Sequence, residues 1–270
     1  MADVERVALV TGVSSGIGHA IAESLVGAGY TVYGSIRSSA SNLPAGVRPL
    51  QLDVRDTASV DAAVARLLAE SQRLDVLVNN AGGALNGAVE ETSIEQAQAL
   101  FDVNLFGAAR VTRAVLPAMR AQRSGRIIFI SSVLGFLPGP YGGYYAASKH
   151  AIEAYAESLD HEVRTFGVRS ILVEPTFIRT RIDENGVLAE NPLEAYATTR
   201  ARVSKKFSES IAGGDDPKVV ATTVLQAVTA SAPRLRYTAG KGASTLALLR
   251  RFAPAGMVES SLRKEFRLDS

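Results

Sequence analysis

Short apolar runs alternate along this chain with longer stretches of helical period, and that alternation narrows the fold more than any other feature. Segments 6–10, 31–35, 49–52, 76–78, 127–130 and 170–173 read as strands, apolar enough to be buried on both faces. Segments 17–29, 57–73, 94–120 and 144–166 read as the helices between them, with Gly29 and Gly167 where helix C-caps are expected. Asp216-Pro217 opens a further helix to about Ser231, with proline at the first helical position. The pattern predicts an α/β fold, a Rossmann-type doubly wound parallel sheet with helices on both faces. No repeat, linker or low-complexity block interrupts it. The whole chain, 1–270, is therefore expected to be one domain, with an insert at about 180–215 and a C-terminal helical extension at about 234–270.

Composition agrees with a folded chain of this kind. Of 270 residues, 47% are hydrophobic and 21% charged, which excludes disorder and collagen-like repeats. Twenty-nine Lys plus Arg against 27 Asp plus Glu leave a net charge of +2, and no nucleic-acid partner is expected. Zero cysteines exclude disulfides, thiolate nucleophiles and cysteine-ligated zinc. No run approaches the roughly 20 apolar residues that span a bilayer. The first residues carry Asp3 and Glu5 and enter a strand without a basic, then apolar, leader, so no signal peptide is expected and a cytoplasmic location is the default. The charge is uneven: from Arg234 onward eight basic residues face three acids, while residues 1–233 are mildly acidic.

Two motifs carry chemistry. Thr11-Gly12-Val13-Ser14-Ser15-Gly16-Ile17-Gly18 joins the first strand to the first helix. Its glycines allow backbone to approach a pyrophosphate, and the helix N-terminus offers unpaired N–H groups; the spacing is G-x-x-x-G-x-G rather than G-x-G-x-x-G. The second strand then runs into Ile36-Arg37, where an NAD-selective site would place an acid for the ribose hydroxyls. Arg37 suits a 2′-phosphate instead, so NADP(H) is the expected cofactor, with NAD(H) as the alternative. The other motif is Tyr145-Ala-Ala-Ser-Lys149. Its i, i+4 spacing puts phenol and ammonium on one helix face, where the ammonium stabilises the phenolate. Tyr141 and Tyr144 lack a lysine at that interval.

Together with Asn79-Asn80-Ala81-Gly82 after the fourth strand, Asn104 in a helix and Ser131-Ser132 after the fifth, the chain resembles a classical short-chain dehydrogenase/reductase over about residues 5–181. The resemblance implies a catalytic tetrad of Asn104, Ser132, Tyr145 and Lys149, with Ser132 preferred to Ser131 for lying thirteen residues before Tyr145. It implies that Tyr145 protonates an alkoxide, that Lys149 binds the nicotinamide ribose, and that Asn104 holds a water. It implies cofactor contacts from Gly12, Ser14, Ser15, Gly16, Ile17, Gly18 and Arg37, from Asp53 and Val54 at the adenine, and from Asn80, Ala81 and Gly82. Tyr145, Lys149, Ile178 and Thr180 complete that set. The family's usual Pro-Gly is Pro175-Thr176 here, which leaves the path of that turn open. No metal is expected: His19, His150 and His161 have no ligand spacing.

The implied activity is interconversion of a carbonyl and an alcohol by NADP(H). Leu134, Phe136, Leu137, Tyr141 and Tyr144, with Ile182, Val187, Leu188, Tyr196 and Phe207 from an insert read as a mobile lid, favour a small hydrophobic or bulky carbonyl substrate. Around the active helix the wording is similar to hydroxysteroid and retinol dehydrogenase-like members. An NAD-dependent alcohol dehydrogenase, a cofactor-binding regulatory protein and an epimerase or dehydratase are the alternatives. Segment 243–252, with Leu246, Leu249 and Phe252 on one face beside Arg250 and Arg251, reads first as a helix docked on its own domain. Covering the pocket, packing against a second subunit or lying on a membrane are its other readings. A homodimer or homotetramer is expected.

Overall fold

The computed structural model describes residues 5–37, 42–180 and 186–268. In chain order its first half comprises β1 (Arg6–Val10), α1 (Gly16–Gly27), β2 (Tyr30–Ile36), β3 (Val47–Gln51), α2 (Thr57–Ser71), β4 (Val76–Asn79), the two-residue β5 (Leu85–Asn86), α3 (Ile94–Phe101) and α4 (Ala108–Gln122). The second half comprises β6 (Gly125–Ile130), α5 (Gly143–Val163), β7 (Val168–Pro175), the two-residue β8 (Val187–Leu188), α6 (Glu194–Ala212), α7 (Pro217–Thr229), β9 (Arg236–Ala239), α8 (Ala243–Phe252) and α9 (Ala255–Glu265). Seven strands form one sheet in the order β3-β2-β1-β4-β6-β7-β9, every pair parallel.

Side chains alternate between the two faces of each strand. Val7, Leu9, Leu77, Ile127, Phe129 and Leu172 join a buried cluster with residues of α2, α4 and α5. Ala8, Val10, Val78, Ile128, Ile171 and Val173 join the opposite cluster with α1 and α7. Apolar residues at both odd and even positions are thus what a two-sided sheet needs, and this Rossmann-type arrangement is the fold the alternation predicts. The chain reverses its direction of winding between β1 and β4, so a crevice opens at their C-terminal ends, where ligands of such sheets bind.

Three features escape periodicity. The expected single helix over 94–120 is interrupted by a π-helical turn, Asp102–Gly107, between α3 and α4. That extra residue per turn shifts the register and leaves Asn104 buried. The seventh strand, β9, was not expected, being four residues long and led by an arginine. The insert also carries structure of its own. Its ends meet where Arg179 donates to the Asp215 carbonyl at 2.9 Å and Asp215 donates to that of Phe177 at 3.1 Å. Between them β8 pairs with β5, and α6 follows. Ile182 lies outside the described residues.

Glu91 fastens this insert. It is fully buried, accepts N–H bonds from Ala88 at 3.0 Å and Leu193 at 2.8 Å, and pairs with Arg200 of α6. Burial alone would push its carboxyl up, but these donors hold it below the usual value. Glu91→Gln removes the charge and leaves Arg200 without its partner, at a cost of about 2 kcal/mol and roughly 5 °C in melting temperature. A melting curve indistinguishable from wild type would mean that the latch contributes nothing.

The C-terminal helices lie against the same insert. Lys206 pairs with Glu265 at 2.7 Å, the Phe207 and Phe266 rings are 5.2 Å apart, and Arg250 donates to the Phe136 carbonyl at 3.0 Å. Leu248, Leu249 and Phe252 remain exposed. Among the described residues no helix is long and apolar enough to cross a membrane.

Candidate active site

The glycine turn is built into the crevice from both sides. Thr11 donates its N–H to the Val78 carbonyl at 3.0 Å, and its hydroxyl oxygen accepts N–H bonds from Asn80 and Ala81, each at 2.9 Å. The Asn80 amide donates to the carbonyls of Thr11 at 2.8 Å and Gly12 at 3.1 Å, while Gly12 donates to the Ser35 hydroxyl at 2.9 Å. Gly12 and Gly16 have φ of +73° and +60°. At Gly18 a Cβ would run into the Gly12 carbonyl oxygen and the Asn80 amide. Ser15 precedes α1 without making a capping bond, and the first turn carries no acid. The leading N–H groups and positive helix end are left for an anion. This cradle fits a dinucleotide pyrophosphate.

Asn80 therefore buttresses the turn with its side chain. Thr180 presents its methyl group 3.2 Å from where a Gly16 Cβ would stand. Ile178 is buried and belongs to the core, so it can offer a cofactor only its main chain. Beside the turn lies a cleft of about 720 Å³ whose wall includes Ser15, Gly16, His19, Arg179, Thr180 and Lys218. No sequence motif points to Arg179 or Lys218, and His19 reads from the sequence as structural. The buried Nδ1 of His19 has no hydrogen-bond partner among the described residues.

At the end of β2 Arg37 is exposed. Asp53, following β3, pairs with Arg55 at 2.6 Å. That hydrogen bond holds its carboxyl down at about 2, and the charge of Arg37 acts in the same direction. Val54 is buried, and a Cβ on Gly107 would approach its side chain to 2.7 Å.

The helix α5 brings Tyr145 and Lys149 to the end of β6. Tyr145 is partly accessible, and its hydroxyl is hydrogen-bonded with Ser132. Lys149 is buried, stands 5.7 Å from the Tyr145 ring centroid and donates to the Ile130 carbonyl at 2.9 Å. Ser131 turns away and donates to Glu153 at 2.7 Å, so of the two serines only Ser132 meets the tyrosine. Asn104 joins the group indirectly. Its amide donates to Ser148 at 3.0 Å and the Gly83 carbonyl at 3.1 Å, its oxygen accepts from the Gly83 N–H at 2.8 Å, and Ser148 donates to the Tyr145 carbonyl at 2.8 Å. Both side-chain donors of Asn104 are engaged, so any water it orders must be bound by its oxygen atoms.

The electrostatics differ from the expectation that Lys149 lowers the tyrosine. Burial pushes the Tyr145 phenol up to about 12, against the hydrogen bond with Ser132, which lowers it. Burial also brings Lys149 down to about 8, while Glu153 raises it. Desolvation is the larger influence on the phenol, and Tyr145 holds its proton at neutral pH.

Aromatic contacts join the insert to its neighbours. Tyr141, held at φ +56°, meets Tyr196 of the insert edge to face, with centroids 6.3 Å apart, and Tyr196 donates to Glu90 at 2.7 Å. Phe207 packs between Phe177 and Phe266, so its ring closes the insert onto the C-terminal helix. Val187 and Leu188 are exposed. Among the described residues no group of three or more His, Cys, Asp or Glu is placed to hold a metal ion.

Comparison with known proteins follows the same lines. The family model described as short chain dehydrogenase matches residues 6–191. A 3-ketodihydrosphingosine reductase of Bacteroides thetaiotaomicron is 35% identical, over 96% of this chain and 97% of its own length. An NADPH-dependent 3-dehydrocapnine reductase of Ornithobacterium rhinotracheale is 34% identical, over 86% and 87%. Among solved structures, a short-chain dehydrogenase from Streptomyces avermitilis aligns with a TM-score of 0.81 at 34% identity, covering 99% of this chain and 98% of that one. Two others, both 26% identical, hold the nucleotide: one from Burkholderia phymatum in complex with NAD (TM-score 0.78, 93% and 94% covered) and one from Burkholderia cenocepacia in complex with NADP (TM-score 0.76, 96% and 98% covered).

Proposed function

The chain belongs to the short-chain dehydrogenase family and is an NAD(P)-dependent oxidoreductase of CH–OH groups, and from that premise we propose that it is an NADP(H)-preferring reductase of a ketone on a long or bulky apolar skeleton. The observation that carries the reading is the meeting of Tyr145, Ser132 and Lys149 at the end of β6, on the same sheet edge as the glycine turn.

NADPH, when bound, supplies the hydride that reduces the carbonyl carbon. Tyr145 donates its proton to the oxygen as negative charge develops there, and a phenol that stays protonated at neutral pH suits that task. Ser132 donates a hydrogen bond to the same oxygen and orients it. Lys149, fixed by the Ile130 carbonyl, presents a positive charge beside the phenol that favours the phenolate left behind. Asn104 ties α5 to the Gly83 backbone and so fixes the first turn of the helix that carries Tyr145. In the oxidising direction the same tyrosine takes the proton from an alcohol. The cradle residues Gly12, Gly16, Gly18 and Thr180 would hold the pyrophosphate, with Asp53 and Val54 beside the adenine.

Two supports favour the apolar ketone: the contact of Tyr141, just before the helix that carries Tyr145, with Tyr196 of the insert, and the reductase names of two relatives similar over most of this chain, one of them a 3-ketodihydrosphingosine reductase. The preference for NADP(H) rests on Arg37, exposed where an acid would otherwise meet the ribose. Arg37→Ala should lower the ratio of kcat/KM for NADPH over NADH about tenfold or more, since a charged hydrogen bond is lost with one cofactor only. An unchanged ratio would remove Arg37 from the account of selectivity.

A further inference from the structure

The face of α5 that begins with Tyr145 and Lys149 continues at the same interval with Glu153 and Glu157. Three of these side chains grip consecutive residues at the end of β6. Lys149 donates to the Ile130 carbonyl at 2.9 Å, Glu153 accepts from the Ser131 hydroxyl at 2.7 Å, and Tyr145 is hydrogen-bonded with Ser132. The carboxylate of Glu153 is 5% exposed. Its partner comes from the far edge of the sheet: Arg236 of β9 lies 2.5 Å from Glu153, 2.5 Å from Glu174 of β7 and 2.9 Å from Glu157. Gly135 packs so closely that a Cβ there would collide with the Glu153 carboxylate and the Ser131 hydroxyl.

A single guanidinium thus serves three carboxylates behind the active site. Burial and the neighbouring Glu153 push Glu174 up, although Arg236 acts against them. The guanidinium itself is held charged, its hydrogen bonds to Glu153 and Glu157 outweighing its burial. A buried carboxylate is costly unless paired, and an apolar residue would fill the space at less cost. What the carboxylate adds is a negative charge one helical turn from a buried ammonium, and an anchor for the residue next to Ser132.

We propose that Glu153, clamped by Arg236, is a positioning residue that sets a negative charge one helical turn behind Lys149 and holds Ser132 in register with Tyr145. The inference rests on the reading of Tyr145 and Lys149 as the acid–base pair. The titratable groups around Lys149 are Tyr145 and Glu153 on its own helix; β6 contributes only the Ile130 carbonyl and leads to the Ser131 hydroxyl. Glu174 and Arg236 stand behind Glu153, with Glu157 beside them. The charge of Glu153 acts to raise Lys149 while burial lowers it, so without that charge the ammonium is lost at lower pH.

The test is the pH profile of kcat/KM for NADPH-dependent reduction of a hydrophobic ketone. Glu153→Gln should move the alkaline limb down by about one pH unit. Glu153→Asp, which retains the charge, should restore it most of the way. Ser131→Ala removes the hydrogen bond but not the charge, and should lower kcat with the limb in place. A limb at the wild-type pH in Glu153→Gln overturns the proposal, whatever the loss of rate. The underlying reading fails separately, by wild-type turnover in Tyr145→Phe.

Discussion

Tyr145→Phe lowers kcat for ketone reduction about a thousandfold, the usual scale of a positioned general acid, and leaves NADPH binding nearly intact. The substitution removes one hydroxyl and keeps the ring beside Lys149. No neighbouring phenol can replace it. Tyr141 and Tyr144 have Tyr145 and Ser148 one turn on, not a lysine, and Tyr141 is turned toward Tyr196. Ser132 still offers a hydrogen bond, but a serine hydroxyl does not yield its proton near neutral pH. Loss of rate should therefore fall on kcat, with the NADPH dissociation constant, read by quenching of nicotinamide fluorescence, little changed. A variant that turns over at the wild-type rate would remove Tyr145 from the chemistry.

Gly18→Ala raises the NADPH dissociation constant about a hundredfold, because a displacement on the order of 1 Å at a positioned site has that scale of effect. The added methyl meets the Gly12 carbonyl and the Asn80 amide. Neither can yield cheaply, since that amide is bonded to the carbonyls of both Thr11 and Gly12. Helix α1 must back away from the turn, widening the cradle, at a cost to stability of about 2 kcal/mol. Gly27 is the control: nothing lies within 4 Å of a Cβ there, so Gly27→Ala should bind NADPH as wild type does. Equal binding by the two variants would mean that Gly18 serves helix packing alone.

The frame of this molecule was legible because two-sided burial leaves a plain record in the chain. Strands such as Arg6–Val10 are apolar at odd and even positions alike, and Pro217 at the start of α7, capped by Asp216 at 2.9 Å, stands where the residues predict. The pairing of Tyr145 with Lys149 was legible because an interval of four places both on one helix face. What lay beyond reading was set by contacts between distant segments. The π turn at Asn104 changes helical register without any change in apolar period. Strand β9 is short and polar at its start because Arg236 answers Glu153, Glu157 and Glu174, each more than sixty residues away. The rise of the Tyr145 phenol to about 12 follows from burial, which spacing does not encode. Asn80 and Ile178 sit at the expected ends of strands, but their side chains serve the turn and the core.

On the proposed reading, this site transfers a hydride to the carbon of an apolar ketone while Tyr145 protonates its oxygen. The most direct measurement uses NADPH dideuterated at the nicotinamide C4, with a panel of long-chain and polycyclic ketones, and mass analysis of the products. Wild type should form an alcohol one mass unit heavier, with deuterium on the carbinol carbon, and Tyr145→Phe should form it about a thousandfold more slowly. An alcohol without deuterium, or no alcohol from any ketone while NADPH binds normally, would contradict this reading.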